Sequence, residues 1–297
     1  MNAPFPLSAL RSVELLVPDL SSAAAFYTSI WGLFEAARED DALWLRGTGT
    51  DCHVLRLAHG ASAAVVSLTF RAAPETDLAT LRDRMAAAGA TLDADVSASH
   101  EHGGGVLLSM RDSVGRGIRV VQGDTMMPPL ADHRTRPGRL AHVNLNTSDI
   151  DRDIRFFEQG LGFRLTDRSS TMAFLRTNDD HHSIVLARAT RDTLNHIAFN
   201  HDHWEDVMRA SGRMLDAHFP IGWGPGRHGP GHNIFVYFVD PFGIVIEHTA
   251  EVLRVDDSYR VGGPADWVWP EGRLDQWGIA PPKTDRCKAA QLAIPFV

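Results

Sequence analysis

The 297-residue sequence has only two cysteines, Cys52 and Cys287, and they stand far apart. That excludes a disulfide framework and a C-x-x-C metal site, and it makes a reducing cytoplasm the default setting. No stretch reaches the roughly 18 uninterrupted apolar residues of a membrane span. Met1 to Leu20 has no basic start followed by an apolar core, so no secretory leader is expected either. A basic excess is missing too. Asp and Glu number 37 against 29 Lys and Arg, a formal net charge of −8, which argues against a nucleic-acid partner.

What is present is one module written twice. Val13-Glu14-Leu15-Leu16-Val17-Pro18-Asp19 aligns with Val143-Asn144-Leu145-Asn146-Thr147-Ser148-Asp149 at an offset of 130, Asp19 to Asp149. Ser67-Leu68-Thr69-Phe70 aligns with His196-Ile197-Ala198-Phe199 at 129, and Asp112-Ser113-Val114-Gly115 with Asp240-Pro241-Phe242-Gly243 at 128. A nearly constant offset over three segments points to two copies of one supersecondary unit. The boundaries this implies are a first module over 1–123, a linker over 124–139, a second module over 140–255 and a tail over 256–297. The linker holds Pro128, Pro129, Pro137 and Gly138, which suit a connector. The tail carries Trp267, Trp269 and Trp277, costly to leave in water, so it is expected to dock on the body.

The second module reads as strand, helix and three strands, then the same again. Leu140 to Asn146 alternates as a strand, with Ser148 or Asp149 as the cap of a helix striped by Ile150, Ile154, Phe157 and Leu161. Met172–Arg176, Ser183–Arg188 and Leu194–Asn200 read as strands. A helix follows around Trp204 and Val207, then a hairpin of Ile234–Val239 with Ile244–His248. The first module repeats the sketch: a strand at Val13, helices over Ala23–Ile30 and Leu78–Ala88, and a hairpin around Asp112–Gly115.

The two copies differ where chemistry would sit. The second places His142, His196 and Glu247 where the first has Ser12, Ser67 and Arg119. Two His and one carboxylate form a metal-ligand set, and Ser, Ser and Arg do not. A single strand histidine is more often a packed core residue, and a strand carboxylate more often pairs with Arg. Three such residues at matching repeat positions favour one metal site per chain. In the first module His53, His59, His100 and His102 read as surface residues, and the His100/His102 pair beside three glycines reads as a solvated turn.

One further stretch is specific. Gly224-Pro225-Gly226-Arg227-His228-Gly229-Pro230-Gly231-His232-Asn233 leads into Phe235-Val236-Tyr237-Phe238, then Asp240-Pro241-Phe242-Gly243 and Ile246-Glu247. With His181-His182-Ser183 before Leu194-Asn195-His196, it resembles the type I extradiol ring-cleavage dioxygenases of the vicinal oxygen chelate superfamily, the catechol 2,3-dioxygenase and 2,3-dihydroxybiphenyl 1,2-dioxygenase kind. The resemblance covers nearly the whole chain, is strongest from Leu140 to Glu247, and fades in the tail.

It implies an α+β fold of two tandem vicinal oxygen chelate modules, each of paired βαβββ units, with a docked C-terminal tail. It also implies that His142, His196 and Glu247 bind Fe(II), for which Mn(II) can substitute. His182 matches the family's acid–base residue, and His228 and Tyr237 match the pair that hydrogen-bonds the substrate's hydroxyls. Pro230 or Asn233 stands where the family carries a small polar group, His181 is the lesser of its pair, and His232 reads as structural. His248 should face away from its neighbour Glu247. The expected partners are a catechol-type aromatic and O2 in aromatic catabolism, and further copies of the chain in a homo-oligomer, with the first module structural and metal-free. Other chemistries on the fold are glyoxalase-like isomerisation, metal-assisted thiol transfer of the fosfomycin-resistance kind, and non-catalytic drug sequestration of the bleomycin-resistance kind.

Overall fold

The computed structural model describes residues 4–130, 133 and 135–297. Ala131, Asp132 and Arg134 of the expected linker lie outside the described residues. The first half contains β1 (Leu7–Val17), α1 (Leu20–Ala25), β2 (Phe34–Arg38), β3 (Ala42–Arg46), β4 (Leu55–His59), β5 (Ala64–Ala72), α2 (Leu78–Ala87), β6 (Thr91–Ala98), β7 (Val106–Arg111) and β8 (Gly117–Gln122). The second half repeats it with β9 (Arg139–Thr147), α3 (Ile150–Arg155), β10 (Arg164–Arg168), β11 (Met172–Arg176), β12 (Ile184–Arg188), β13 (Leu194–His201), α4 (Trp204–Asp216), β14 (Trp223–Arg227), β15 (Ile234–Val239) and β16 (Val245–Ala250). A short helix, α5 (Asp285–Ala290), lies in the tail.

Each half forms one eight-stranded mixed sheet, ordered β2-β3-β4-β1-β5-β8-β7-β6 and β10-β11-β12-β9-β13-β16-β15-β14. The two βαβββ units of a sheet meet through an antiparallel pair, β1 with β5 and β9 with β13. Local chemistry repeats along with topology. Asp19 caps α1 by accepting from the amide of Ser21 at 2.9 Å, and Asp149 caps α3 by accepting from that of Arg152 at 3.0 Å. Both helices then continue as π-helical turns, Phe26–Trp31 and Phe156–Gly160.

Two strands differ from expectation. β14 has the sequence WGPGR, whose glycines and proline read as loop, yet it survives as an edge strand where a proline is tolerated. β10, with the polar sequence RLTDR, is the opposite edge and lacks an alternating pattern long enough to detect.

The buried apolar side chains of both halves form one contiguous core. The halves interlock polar to polar as well. Tyr27 donates to Asp240 at 2.8 Å, and buried Arg116 donates to Asp153 at 2.8 Å and to the Asn146 carbonyl at 3.1 Å. Trp31 stacks on His248 with centroids 3.6 Å apart. His248 is fully buried and 2.9 Å from His201, on the side of its strand away from Glu247's neighbours.

His53 corrects the expectation of a surface residue: it is 1% exposed and bonded to the guanidinium of Arg11. Burial first, then the neighbouring Arg11 charge, holds its pKa well below the usual imidazole value, so it is the neutral acceptor that a buried Arg requires. The tail is tied to the body through bridges of Gly262 to Asp167, Ile294 to Leu194 and Phe296 to Val65. Its tryptophans are less covered than their size suggests: Trp269 and Trp277 remain 36% and 41% exposed. Among the described residues no helix is long and apolar enough to cross a membrane.

Candidate functional site

Strand register assembles the site. Across β15, β16, β13 and β9, Tyr237 pairs with Glu247, Glu247 with Ala198, and Ala198 with His142. His196 pairs with Asn144, two residues along on the same faces. One concave row therefore carries Tyr237, Glu247 and His142, with the small Ala198 at its centre and His196 beside it.

The three potential ligand atoms of His142, His196 and Glu247 lie within 4.8 Å of one another, all buried. His142 Nε2 is 3.1 Å from His196 Nε2, and Glu247 Oε2 is 3.3 Å and 3.0 Å from those two nitrogens. Donors held at about 2.1 Å around one ion at right angles stand about 3 Å apart. Glu247 Oε2 is nonetheless a buried oxygen without a hydrogen bond. Burial works against its charge, but the facing His142 and His196 imidazoles hold the carboxyl well below its usual range. Burial lowers His196 to about 4. A carboxylate and two imidazole nitrogens converging on one point, with a buried carboxylate oxygen that makes no hydrogen bond, fit a divalent cation.

Supporting groups fix these side chains. Asn195 Oδ1 sits 2.8 Å from His196 Nδ1 and accepts from Gln291 Nε2 at 2.7 Å, while Asn195 Nδ2 donates to Asn146 at 2.9 Å. Asn233, not Pro230, is the small polar group at the centre: it donates to Thr249 at 2.8 Å and lies 3.4 Å from Glu247 Oε1. Such outer contacts orient ligands and set their basicity.

The remaining sequence candidates frame a cavity of about 420 Å³ in front of the row, a size suited to a small aromatic. His228 Nε2 is 3.1 Å from the Tyr237 hydroxyl. Burial lowers His228 to about 3 and, with the Glu247 charge, raises Tyr237 well above its normal value, so the pair is neutral imidazole and neutral phenol.

His182 lines the cavity opposite, its ring centroid 4.5 Å from that of His142. Burial, then the neighbouring His142 and His181, keep it unprotonated. Its tautomer follows from a chain the sequence did not reveal. Asp167 Oδ2 is 2.8 Å from His181 Nε2, and His181 Nδ1 is 3.1 Å from His182 Nδ1. A carboxylate only accepts, so His181 directs an Nε2 proton at Asp167, and in the neutral tautomer its Nδ1 is an acceptor. His182 then donates from Nδ1, which leaves the Nε2 lone pair for the cavity. Asp167 is in turn held by Tyr259 at 3.1 Å and the Gly262 amide at 2.7 Å, both from the tail. Gly231 (φ +79°) packs on this pair; a Cβ there would meet His182 Cε1 at 2.7 Å. His181 thus supports rather than faces the cavity, and His232 is exposed at the edge of the loop.

Sequence reasoning missed Asp167, Asn195, Gln291 and Lys283. Asn195, Gln291 and Lys283 line the cavity. Only Asn195 offered a local signal, as the neighbour of a candidate ligand.

Known proteins agree with this architecture. The Glyoxalase/Bleomycin resistance protein/Dioxygenase superfamily profile matches residues 139–248. Over 305 aligned residues the chain is 30% identical to metapyrocatechase 2 of Cupriavidus necator, covering 92% of this chain and 90% of that protein. The chain belongs to the extradiol ring-cleavage dioxygenase family. It is accordingly an oxidoreductase. Within the family it is 23% identical to the iron-dependent extradiol dioxygenase of Rhodococcus jostii, over 92% of this chain and 96% of that one. Among solved structures it is similar to the Mn(II)-bound glyoxalase from Novosphingobium aromaticivorans, with a TM-score of 0.89, 29% identity and coverage of 95% and 94%.

Proposed function

We propose that this chain cleaves a catechol-type ring with O2, with His142, His196 and Glu247 holding Fe(II) and the same donors accepting Mn(II). The observation that carries the reading is the buried, unbonded Glu247 Oε2 with two imidazole nitrogens 3.0 and 3.3 Å away, both imidazoles lining a cavity that aromatic side chains also line. The ion supplies a redox relay that lets O2, slow toward closed-shell organic molecules, react with the diol.

The chain's own groups manage position and protons. Tyr237, kept a phenol, donates a hydrogen bond to one diol oxygen, and His228, kept neutral, accepts from the other. His182 takes up a diol proton at its cavity-facing Nε2 and returns it as the ring opens. Phe174, Trp223, Trp267 and Trp269 line the cavity and offer the ring apolar walls. The ring carbon–carbon bond beside the diol breaks and both atoms of O2 enter the ring-opened semialdehyde acid, so no external reductant is needed.

The same reading includes a metal-free structural module over 1–123, a linker over 124–139, a catalytic module over 140–255 and a tail over 256–297. It also includes a cytoplasmic setting and a homo-oligomer, which light scattering would size.

Likeness to the Mn(II)-bound glyoxalase favours a second reading, isomerisation of a thiol adduct at the same donors. One experiment separates the two. Protein loaded anaerobically with Fe(II) receives catechol and air, or methylglyoxal with glutathione. Oxygen uptake matched by yellow ring-opened product, both lost in His196→Ala, is the expected result. Metal-loaded protein that consumes no oxygen across a panel of catechols would sink the proposal, and thioester formation without oxygen uptake would replace it with the second reading.

A further inference from the structure

The cavity wall has a charge pattern at odds with the rest of the chain. The sequence holds 37 acids against 29 Lys and Arg. Beyond Glu247 in the metal-ligand row, no Asp or Glu is found among the described residues around the cavity, and two cations line it, Arg188 and Lys283. Arg188 is exposed at the mouth, whereas Lys283 reaches in from the tail.

Lys283 is held deliberately. The next residue, Thr284, donates its amide to the Gly222 carbonyl at 2.9 Å and caps α5 through its side chain. Cys287 of α5 packs in a buried cluster with Phe235 and Tyr237. The ammonium donates to Gln291 Oε1 at 3.1 Å and lies 4.4 Å from the centroid of the Trp223 ring and 5.8 Å from that of Tyr237. Among the described residues no carboxylate forms an ion pair with it. An ammonium has three donors. One is spent on a neutral amide, and the aromatic faces compensate only part of the lost hydration. Burial accordingly pushes its pKa down, a cost that an anion at this spot would reverse.

Its position excludes one role. Lys283 is two side chains removed from the metal-ligand candidate His196, through Gln291 and Asn195. The ammonium lies 5.8 Å from the centroid of the Tyr237 ring, and since Tyr237, His228 and His182 already serve the two hydroxyls it is left for a substituent of the same ring.

Resting on the dioxygenase reading, we propose that the substrate is a catechol bearing a carboxylate substituent, and that Lys283 binds that carboxylate. A charge-assisted hydrogen bond in a half-buried site discriminates an acid from its neutral analogue by about ten- to a hundredfold.

Two readouts test this on the full-length Fe(II) protein. The first is kcat/KM for 3,4-dihydroxybenzoate relative to catechol, in the wild type, Lys283→Met and Lys283→Arg. The ratio should fall by about ten- to a hundredfold in Lys283→Met, chiefly through KM for the acid, and recover in large part in Lys283→Arg. The second needs no turnover: quenching of tryptophan fluorescence by benzoate against benzyl alcohol, with Trp223 beneath the ammonium as reporter. Benzoate should bind more tightly to the wild type than to Lys283→Met, and benzyl alcohol equally to both. A kcat/KM ratio that does not move, or equal losses for acid and neutral ring, would overturn the inference and leave ring cleavage standing. Lys283-dependent benzoate binding in a protein that cleaves no catechol would uphold the anion site and sink the dioxygenase reading.

Discussion

The two halves solve the same packing problem and fill the same row of the sheet with opposite chemistry. In the second half the row reads Tyr237, Glu247, Ala198, His142. In the first it reads Ser109, Arg119, Thr69, Ser12. There Arg119 donates to Glu14 at 2.8 Å, to Glu101 and, at 3.4 Å, to the Ser109 hydroxyl, while Arg56 closes on Glu14 from the other side. Glu14 stands where the second half has Asn144, since Ser67 pairs with Glu14 as His196 pairs with Asn144. Alternating charges thus neutralise one concavity from within. The other gathers two imidazoles around a carboxylate oxygen that no hydrogen bond occupies. At this row the first half supplies an arginine and the second a set of metal donors. Only the metal leaves coordination positions for a substrate.

Exchanging residues between the halves tests this most severely. His196→Ser installs the first half's Ser67 in the second. Metal content after loading should drop to background along with oxygen uptake, as read by elemental analysis and an oxygen electrode; a variant that keeps one ion per chain would break the comparison. His182→Gln is next. It should keep its metal and lose on the order of a hundred- to ten-thousandfold in kcat. Equal loss of metal would make His182 a structural group instead.

Arg119→Met moves the other way, removing the internal cation of the first half. Unfolding free energy in urea should fall by about 1–3 kcal/mol, because Glu14 loses a partner in a partly solvated cluster. Catechol turnover by the folded protein should persist. A large loss of kcat would mean that the first half contributes more than support.

The last prediction concerns a slope. In the first half the Asp112 turn is neutralised by buried Arg116, 2.9 Å away. At the equivalent turn Asp240 faces Ile244, with Tyr27 as its side-chain partner. Burial raises the Asp240 pKa from 3.8 to about 6, so the native state holds this proton more tightly than the unfolded chain does. The resulting stabilisation is complete below about pH 4 and is lost as pH rises through about 6. Asp240→Asn should flatten that part of the pH–stability curve, measured by urea unfolding at a series of pH values, and an unchanged slope would rule the group out.

Much of this was legible in the chain because repeats and strand parity are local signals. Matching His142, His196 and Glu247 to Ser12, Ser67 and Arg119 needed only a constant offset, and the sheet then brought the three together. The supporting groups were hidden for a physical reason. Asp167 orients His182 through His181, and Gln291 steadies Asn195 from 96 residues away, contacts that only tertiary folding creates. Lys283 sits in a proline-rich tail with no period to read. His53 misled because a polar residue in a turn looks solvated until its partner, Arg11, is seen to be buried with it.

The Gln291–Asn195 bond ties the last part of the chain to the residue that orients His196. Ion binding and tail docking therefore draw on a common free energy, and linkage makes the effect reciprocal. Whatever loosens the tail must weaken the hold on the metal by the same factor by which the metal tightens the tail. A protease that cuts near Pro281 becomes a gauge of cofactor loading, and a chelator becomes a reagent for unfastening the end of the chain.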